Sequence, residues 1–203
     1  MFKVLACIII SYFLGNISGG MIFGKILFNK DIRNYGSKNA GTTNALRVFG
    51  LKAGVLTFII DFLKSILACY IGMKFLGLNG ILLSGIFVVL GHNWPVFLNF
   101  KGGKGIASSF GFIVFLDYRL ALIAISIFIL IVIFTKYISL GSMLSTASVL
   151  PISYMFFGYR NIYVLSTFLF LLLLTVYRHK SNIVRLLNGN ENKFATKNIK
   201  NYF

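Results

Sequence analysis

Long apolar runs recur along the whole of this chain, separated by short gaps that collect nearly all of its charge. A helix that crosses a bilayer needs about 20 mostly apolar residues, and fewer when it is buried among others. Seven runs meet or approach that length: Val4–Phe28, Ala53–Phe75, Leu78–Leu98, Ile106–Leu116, Leu120–Phe134, Ile138–Phe157 and Ile162–Tyr177. The fourth is short and fits a tilted or half-spanning helix. Composition points the same way. Of 203 residues, 58% are hydrophobic and only 12% charged, whereas soluble domains carry about 25% charged residues. Lipid is the implied solvent. The expected fold is all-α and integral to the membrane, one polytopic domain over residues 1–203 with seven transmembrane helices.

The charge orients those helices. Cytoplasmic loops carry an excess of Lys and Arg. With seven crossings, one side receives Lys25, Lys30, Arg33, Lys38, Arg47, Lys52, Lys101, Lys104, Lys136, Arg178, Lys180, Arg185, Lys193, Lys197 and Lys200, fifteen in all. The other side receives four, Lys3, Lys74, Arg119 and Arg160, while Lys64 lies inside the second run. The N-terminus is therefore expected outside and the C-terminus in the cytoplasm. The formal charge of +16 does not read as nucleic-acid binding, because the cations sit in gaps between apolar runs and not along a soluble face. Membrane headgroups and small anionic substrates are the expected partners. Cys7 and Cys69 lie inside apolar runs and read as small buried hydrophobes. Lys3 and the run after it resemble a signal peptide without a cleavage site, so an uncleaved first helix is expected.

Three polar, glycine-bearing stretches fall on the cytoplasmic side in this topology. The first is Gly36-Ser-Lys-Asn-Ala-Gly-Thr-Thr-Asn-Ala-Leu-Arg47. Glycines let successive backbone N–H groups form an anion-binding nest. Ser37, Thr42, Thr43 and Asn44 add neutral donors, and Arg47 adds a planar fork matched to phosphate oxygens. A solvated loop that caps the next helix is an equal reading of the same residues. The second stretch runs from Gly91-His92 to Lys101-Gly-Gly-Lys104-Gly105. It lacks the spacing and the strand–helix setting of a nucleotide-hydrolase P-loop. It does combine mobile backbone, two lysines and a helix start near Ile106 that favours anions. The third, Tyr177 to Glu191, reads on its own as a juxtamembrane amphipathic segment, with His179 and Asn182 sharing a helix face. Ser139-Leu-Gly-Ser142 opens the sixth run with hydroxyls. Asp61 and Lys64 are costly in lipid, and a structural ion pair is the favoured reading for them.

Taken together these stretches resemble the bacterial acyl-phosphate:glycerol-3-phosphate acyltransferases, the seven-span PlsY family. That family's first motif, Ser-Gly-Asn-Pro-Gly-Ala-Thr-Asn, two residues, Arg, is matched by Ser37, Asn39, Gly41, Thr43, Asn44 and Arg47. Its second is matched by Gly91, His92, Pro95, Val96, Phe97 and Phe100 to Lys104, and its third by His179, Asn182, Ile183, Arg185 to Leu187, Gly189 and Glu191. The resemblance covers essentially the whole chain. Two positions depart from it: Lys38 stands where the family has Gly, and Ala40 where it has Pro.

The resemblance implies acyl transfer from acyl phosphate to the sn-1 hydroxyl of glycerol 3-phosphate at the cytoplasmic face of the cell membrane. It implies catalytic roles for Ser37, Thr43, Arg47 and Lys104, with the Ser37–Arg47 loop cradling phosphate and the carbonyl oxygen. Substrate contacts fall to Asn39, Gly41, Asn44, His92, Lys101, Gly102, Gly103, Ser142, His179, Asn182 and Glu191. Lys104, Ser142, His179 and Asn182 are the set expected to hold glycerol phosphate. His92, His179 or a substrate phosphate is the candidate proton acceptor, the last being preferred. Two histidines and few carboxylates give too few ligands for a metal, so neither metal nor cofactor is expected, and the chain is expected to work as a monomer. A secondary transporter for a phosphorylated metabolite is the competing class, but such sites favour the bilayer midplane and internal repeats.

Overall fold

The computed structural model describes residues 1–194, and all the regular structure there is helical. Lys197 and Lys200, counted above in the basic tail, lie outside the described residues. The elements are α1 (Phe2–Asn16), α2 (Gly19–Phe28), α3 (Thr42–Asn93), α4 (Ile106–Leu116), α5 (Tyr118–Thr135), α6 (Ile138–Phe156), α7 (Ile162–Arg178) and α8 (Lys180–Leu187). The described residues divide into two compact units, 1–116 and 117–194. Among the described residues four stretches are long and apolar enough to cross a bilayer, or five if the pair α7–α8, bent by 60°, counts as one.

In the first unit, the apolar run expected as one helix over Val4–Phe28 is broken. Ile17 is extended, with φ −65° and ψ 117°, and Ser18 restarts the chain by accepting a hydrogen bond from the Met21 N–H at 3.4 Å. The break falls in the small polar patch Gly15–Gly20, where Ser is a good cap and Gly a poor helix interior.

A straight α3 of 52 residues would be about 78 Å long, far beyond the roughly 30 Å of hydrocarbon in a bilayer. It is not straight. Leu76 (φ −142°) and Gly77 (φ 58°) leave helical geometry, and the chain folds back there. The Cys69 Sγ reaches the carbonyl of Ile81 at 3.9 Å, and a Cβ built on Gly72 would run into the Gly80 carbonyl. Residues eight apart along one helix are separated by about 12 Å, so only antiparallel arms allow this. A second break at Gly50 (φ 83°) brings Leu46 against Gly54, where an added Cβ would lie 2.8 Å from the Leu46 Cβ. Helix α3 is thus three helical pieces, 42–49, 51–75 and 78–93. The third apolar run, expected to Leu98, is helical only to Asn93, because Pro95 follows and has no N–H to continue the ladder. A short 3-10 turn, Val96–Leu98, completes it.

Small residues set the packing. A Cβ on Gly15 would come within 2.9 Å of the Gly91 Cα, so α1 and the 78–93 arm cross backbone to backbone, as small-residue crossings in membranes do. The Ser11 hydroxyl donates to Ser84 Oγ at 2.9 Å, and the Tyr12 hydroxyl to the Trp94 carbonyl at 2.8 Å. In the second unit, Lys136 in left-handed geometry (φ 65°) turns α5 into α6, and its carbonyl accepts from the Phe194 N–H at 2.6 Å. Asp117 caps α5 through the Arg119 N–H at 3.0 Å and also accepts from the Tyr159 hydroxyl at 3.1 Å. Leu63, Ile133, Phe134 and Leu173 leave large apolar side chains exposed on these helices, a surface suited to lipid and unusual in water.

Candidate active site

The loop before α3 is organised by one side chain. Asn44 is buried, and its amide nitrogen faces the carbonyls of Asn39 (2.9 Å), Tyr35 (3.0 Å) and Ile32 (3.3 Å). Its Oδ1 accepts from the Ser37 N–H at 2.8 Å. Asn44 therefore ties the turn together from within. Asn39 does the same on a smaller scale, its Oδ1 accepting from the Gly41 N–H at 3.0 Å. Ser37 is exposed, and Gly41, Thr43 and Arg47 are half-buried around the first turn of α3. Residue 38 has φ 57°, a left-handed conformation that glycine adopts freely and lysine does not. Ala40 is fully buried, in a core with Ile32, Ala45, Val48 and Phe49.

The second stretch abuts this loop. A Cβ on Gly41 would lie 4.0 Å from the Gly103 Cα, and the Arg33 guanidinium donates to the Leu98 carbonyl at 2.9 Å. Arg33 is also clamped by Asp31, with 2.7 Å between Nη2 and Oδ2. That hydrogen-bonded guanidinium holds the Asp31 carboxyl below the usual carboxylate range. Gly103 donates its N–H to the His92 carbonyl at 3.0 Å, and the place where a Cβ would stand on Gly103 is filled by the His92 ring. Gly102 and Gly103 are buried, Lys104 is half-buried and Lys101 is exposed. On the far side of His92, Nδ1 is 2.9 Å from the Lys64 Nζ, and Lys64 is paired with Asp61 at 2.9 Å. Asp61, Lys64 and His92 are all buried.

In the second unit, Glu191 is the hub. Its Oε1 accepts from the Ser139 hydroxyl at 2.8 Å and from the Asn182 amide at 2.7 Å. Its Oε2 accepts from the Arg185 Nε at 2.7 Å. Burial pushes the Glu191 carboxyl up, but the hydrogen bonds from Asn182, Ser139 and Arg185 outweigh it and hold the group below its ordinary value. His179 sits at the α7–α8 bend, and its Nδ1 meets the Thr175 carbonyl at 2.8 Å. Ser142 is buried, its hydroxyl donating to the Ile138 carbonyl at 2.9 Å. Among the described residues no three His, Cys, Asp or Glu side chains gather where they could hold a metal ion.

The model of the glycerol-3-phosphate acyltransferase family matches residues 5–189. The chain belongs to that family. A glycerol-3-phosphate acyltransferase of Finegoldia magna is 48% identical over 187 residues, spanning 92% of this chain and 94% of its own. One from Thermoanaerobacter sp. strain X514 is 45% identical over 197 residues, 97% and 98% of the two chains. Among solved structures, the glycerol 3-phosphate form of PlsY, an integral membrane glycerol 3-phosphate acyltransferase, superposes with a TM-score of 0.89 at 37% identity over 96% of each chain. Its lysophosphatidic acid form gives 0.86 at 35% identity over 97% of each. Like PlsY, this chain is an integral membrane protein of helices.

The structure gives the two departures from the resembled motif a physical meaning. At residue 38 a glycine, as in that motif, would suit the left-handed turn that this chain forces on a lysine. At residue 40, where that motif has proline, the alanine is buried. Three features escaped the sequence reading. Ser139 reaches Glu191 where Ser142 was the expected partner of the site. Arg33 and Asp31 brace the first loop against the second. The Asp61–Lys64 pair reaches His92. Charged residues in an apolar run signalled only the last of these.

Proposed function

We propose that this acyltransferase moves a fatty acyl group from acyl phosphate to the sn-1 hydroxyl of glycerol 3-phosphate, releasing lysophosphatidic acid and inorganic phosphate. The observation that carries the reading is the abutment of the first two polar loops. The start of α3 at Gly41 and the Gly103 backbone come together, and Arg47 and Lys104 in the same two stretches are half-buried. A helix N-terminus with a cation fork and a point charge suits a phosphate and a developing oxyanion.

Acyl phosphate is a mixed anhydride with a good leaving group, so positioning and oxyanion stabilisation supply most of the catalysis. The hydroxyl oxygen bonds to the acyl carbon, the carbon–oxygen bond to phosphate breaks, and the hydroxyl proton leaves. Ser37, Thr43 and Arg47 cradle the donor phosphate and carbonyl oxygen, with Asn39, Gly41 and Asn44 shaping that cradle. Lys104, Ser142, His179 and Asn182 hold glycerol 3-phosphate. Glu191 acts on Asn182, because both of its oxygens are committed to protein donors. The proton goes to a substrate phosphate, whose second pKa is about 6, since the Asp61 carboxylate is already bonded to Lys64 and the Glu191 carboxylate to Ser139, Asn182 and Arg185.

The same reading places seven crossings in the cytoplasmic membrane, N-terminus outside, with the site on the cytoplasmic side. The fifteen-to-four charge segregation and the doubling-back of α3 at Gly77 support it. The decisive test is phosphate release by purified protein from acyl phosphate. Release should depend on glycerol 3-phosphate and nearly vanish with glycerol at any concentration, because the anchor and the proton acceptor leave together. Glycerol turned over at a comparable kcat would refute the substrate-assisted step. No release at all, with counterflow of a phosphorylated metabolite in vesicles, would favour a transporter.

A further inference from the structure

Lys64 lies in the middle of the 51–75 arm, and its ammonium is surrounded by acceptors. Nζ meets Asp61 Oδ1 at 2.9 Å, the Gly15 carbonyl at 3.0 Å and the Ile17 carbonyl. The last two are carbonyls that the break between α1 and α2 leaves without helical partners. The fourth neighbour is Nδ1 of His92 at 2.9 Å. An ammonium has three hydrogens and no lone pair, so these four neighbours share three hydrogens, one of them bifurcated. The ammonium tolerates a ring nitrogen at that distance only if the nitrogen offers its own lone pair. A neutral imidazole then carries its hydrogen on Nε2, the atom that lies where a Gly103 Cβ would stand. The Asp61 carboxylate, 3.4 Å from Nδ1, converges on the same ammonium, which lies between the two acceptors; a hydrogen on Nδ1 aimed at Asp61 is the competing arrangement that the ring spectrum separates.

We propose that Lys64 is a positioning residue for acyl transfer: through Nδ1 it holds His92 as the Nε2–H tautomer against Gly103 and so fixes the backbone that carries Lys101 and Lys104. The inference rests on the function proposed above. It assigns the costly charge pair in the second apolar run to the site, and it removes His92 from the candidate proton acceptors, because its lone pair faces a cation. A ring placed this way against bare backbone also explains why residue 103 has no side chain.

The test combines ring spectroscopy with kinetics. The chain has only 2 histidines, so ¹⁵N-histidine-labelled protein in detergent shows two rings, and His179→Gln identifies which belongs to His92. The expected wild-type spectrum has Nδ1 of His92 unprotonated and Nε2 protonated; a protonated Nδ1 overturns the proposal outright. In Lys64→Met, the His92 ring should lose that single tautomer, and kcat/KM should fall about 10- to 100-fold, the scale of a lost charged hydrogen bond. An unchanged spectrum or wild-type kcat/KM in folded Lys64→Met overturns it as well. If Lys64→Met does not fold, the pair His92→Gln and His92→Phe decides. Gln keeps a donor near the place of Nε2 and should retain more activity, whereas a role in packing alone predicts Phe to match or exceed it. Wild-type protein that releases no phosphate would refute the functional reading, while the ring spectra would still decide the Lys64–His92 contact.

Discussion

Removing the Asn44 side chain should loosen the first loop far more than it weakens the rest of the protein. The amide has two hydrogens for three nearby carbonyls, at 2.9, 3.0 and 3.3 Å, and its oxygen takes the Ser37 N–H at 2.8 Å. Asn44→Ala therefore deletes about three hydrogen bonds, each contributing about 1 kcal/mol, and leaves backbone groups that cost about 1–3 kcal/mol apiece wherever water cannot reach them. Ser37 is exposed and its neighbours are half-buried, so water recovers part of that. A loss of about 3–4 kcal/mol, confined to the turn, is the expected size. Hydrogen exchange at residues 32–41 reads it directly, as protection falling by about two to three orders of magnitude while the 51–75 arm stays protected. Asn44→Asp sharpens the test. It preserves shape and the bond from Ser37 but aims a carboxylate at three carbonyls, so it should be at least as damaging as Ala. Wild-type exchange rates in Asn44→Ala would refute the reasoning and return Asn44 to direct contact with substrate.

Four further expectations follow from particular side chains. Arg47→Lys should lower kcat/KM about 10- to 100-fold despite preserving the charge, because a point cation cannot replace a bidentate fork; wild-type kinetics in both Arg47→Lys and Lys104→Ala would move the site elsewhere. Lys38→Gly should stabilise the protein by up to about 1 kcal/mol, the relief of left-handed strain less glycine's entropy, whereas Lys38→Ala should leave Tm unchanged; equal Tm values for the two variants would contradict the positive φ. Because the folded Glu191 carboxyl titrates below its unfolded value of about 4.3, its contribution is present above that pH and lost as pH falls through the folded pKa. Exchange protection of residues 188–194 should drop there in wild type and show no such pH step in Glu191→Gln. Cysteines introduced near Lys101 and Asn190 should react with an impermeant thiol reagent only after the cytoplasmic face is opened, and labelling in intact cells would reverse the orientation.

Hydropathy made the helices legible almost to the residue where one stretch is both apolar and unbroken. Ile106–Leu116 is α4 as expected, and α6 and α7 differ from expectation by one residue at one end. Hydropathy fails where the chain changes direction within an apolar run. Ile17 is as apolar as its neighbours, so the break that frees the Gly15 and Ile17 carbonyls left only a weak trace in the flanking small residues. In the polar stretches Arg, Lys and Gly suggested ligand chemistry, but the same basic loops also orient the helices, so residue type alone did not separate the two uses. Which members touch a ligand and which hold the others was not legible, because Asn44 and Ser37, or Glu191 and Asn182, differ in role only through where their partners stand in space.

The same distinction explains why Asp61 and Lys64 looked like a self-contained pair. On a helix, residues three apart share a face, so sequence alone supplies each with a complete partner. Yet an ammonium has more donors than one carboxylate needs, and in a dry interior each remaining hydrogen must find an acceptor. Gly15, Ile17 and His92 share the two hydrogens that Asp61 leaves, and all three come from other parts of the chain. A buried lysine thus reports on its whole surroundings. Its surplus donors join the break in the first apolar run to the histidine beneath the glycine-rich loop, two features that sequence reading had left without a physical connection.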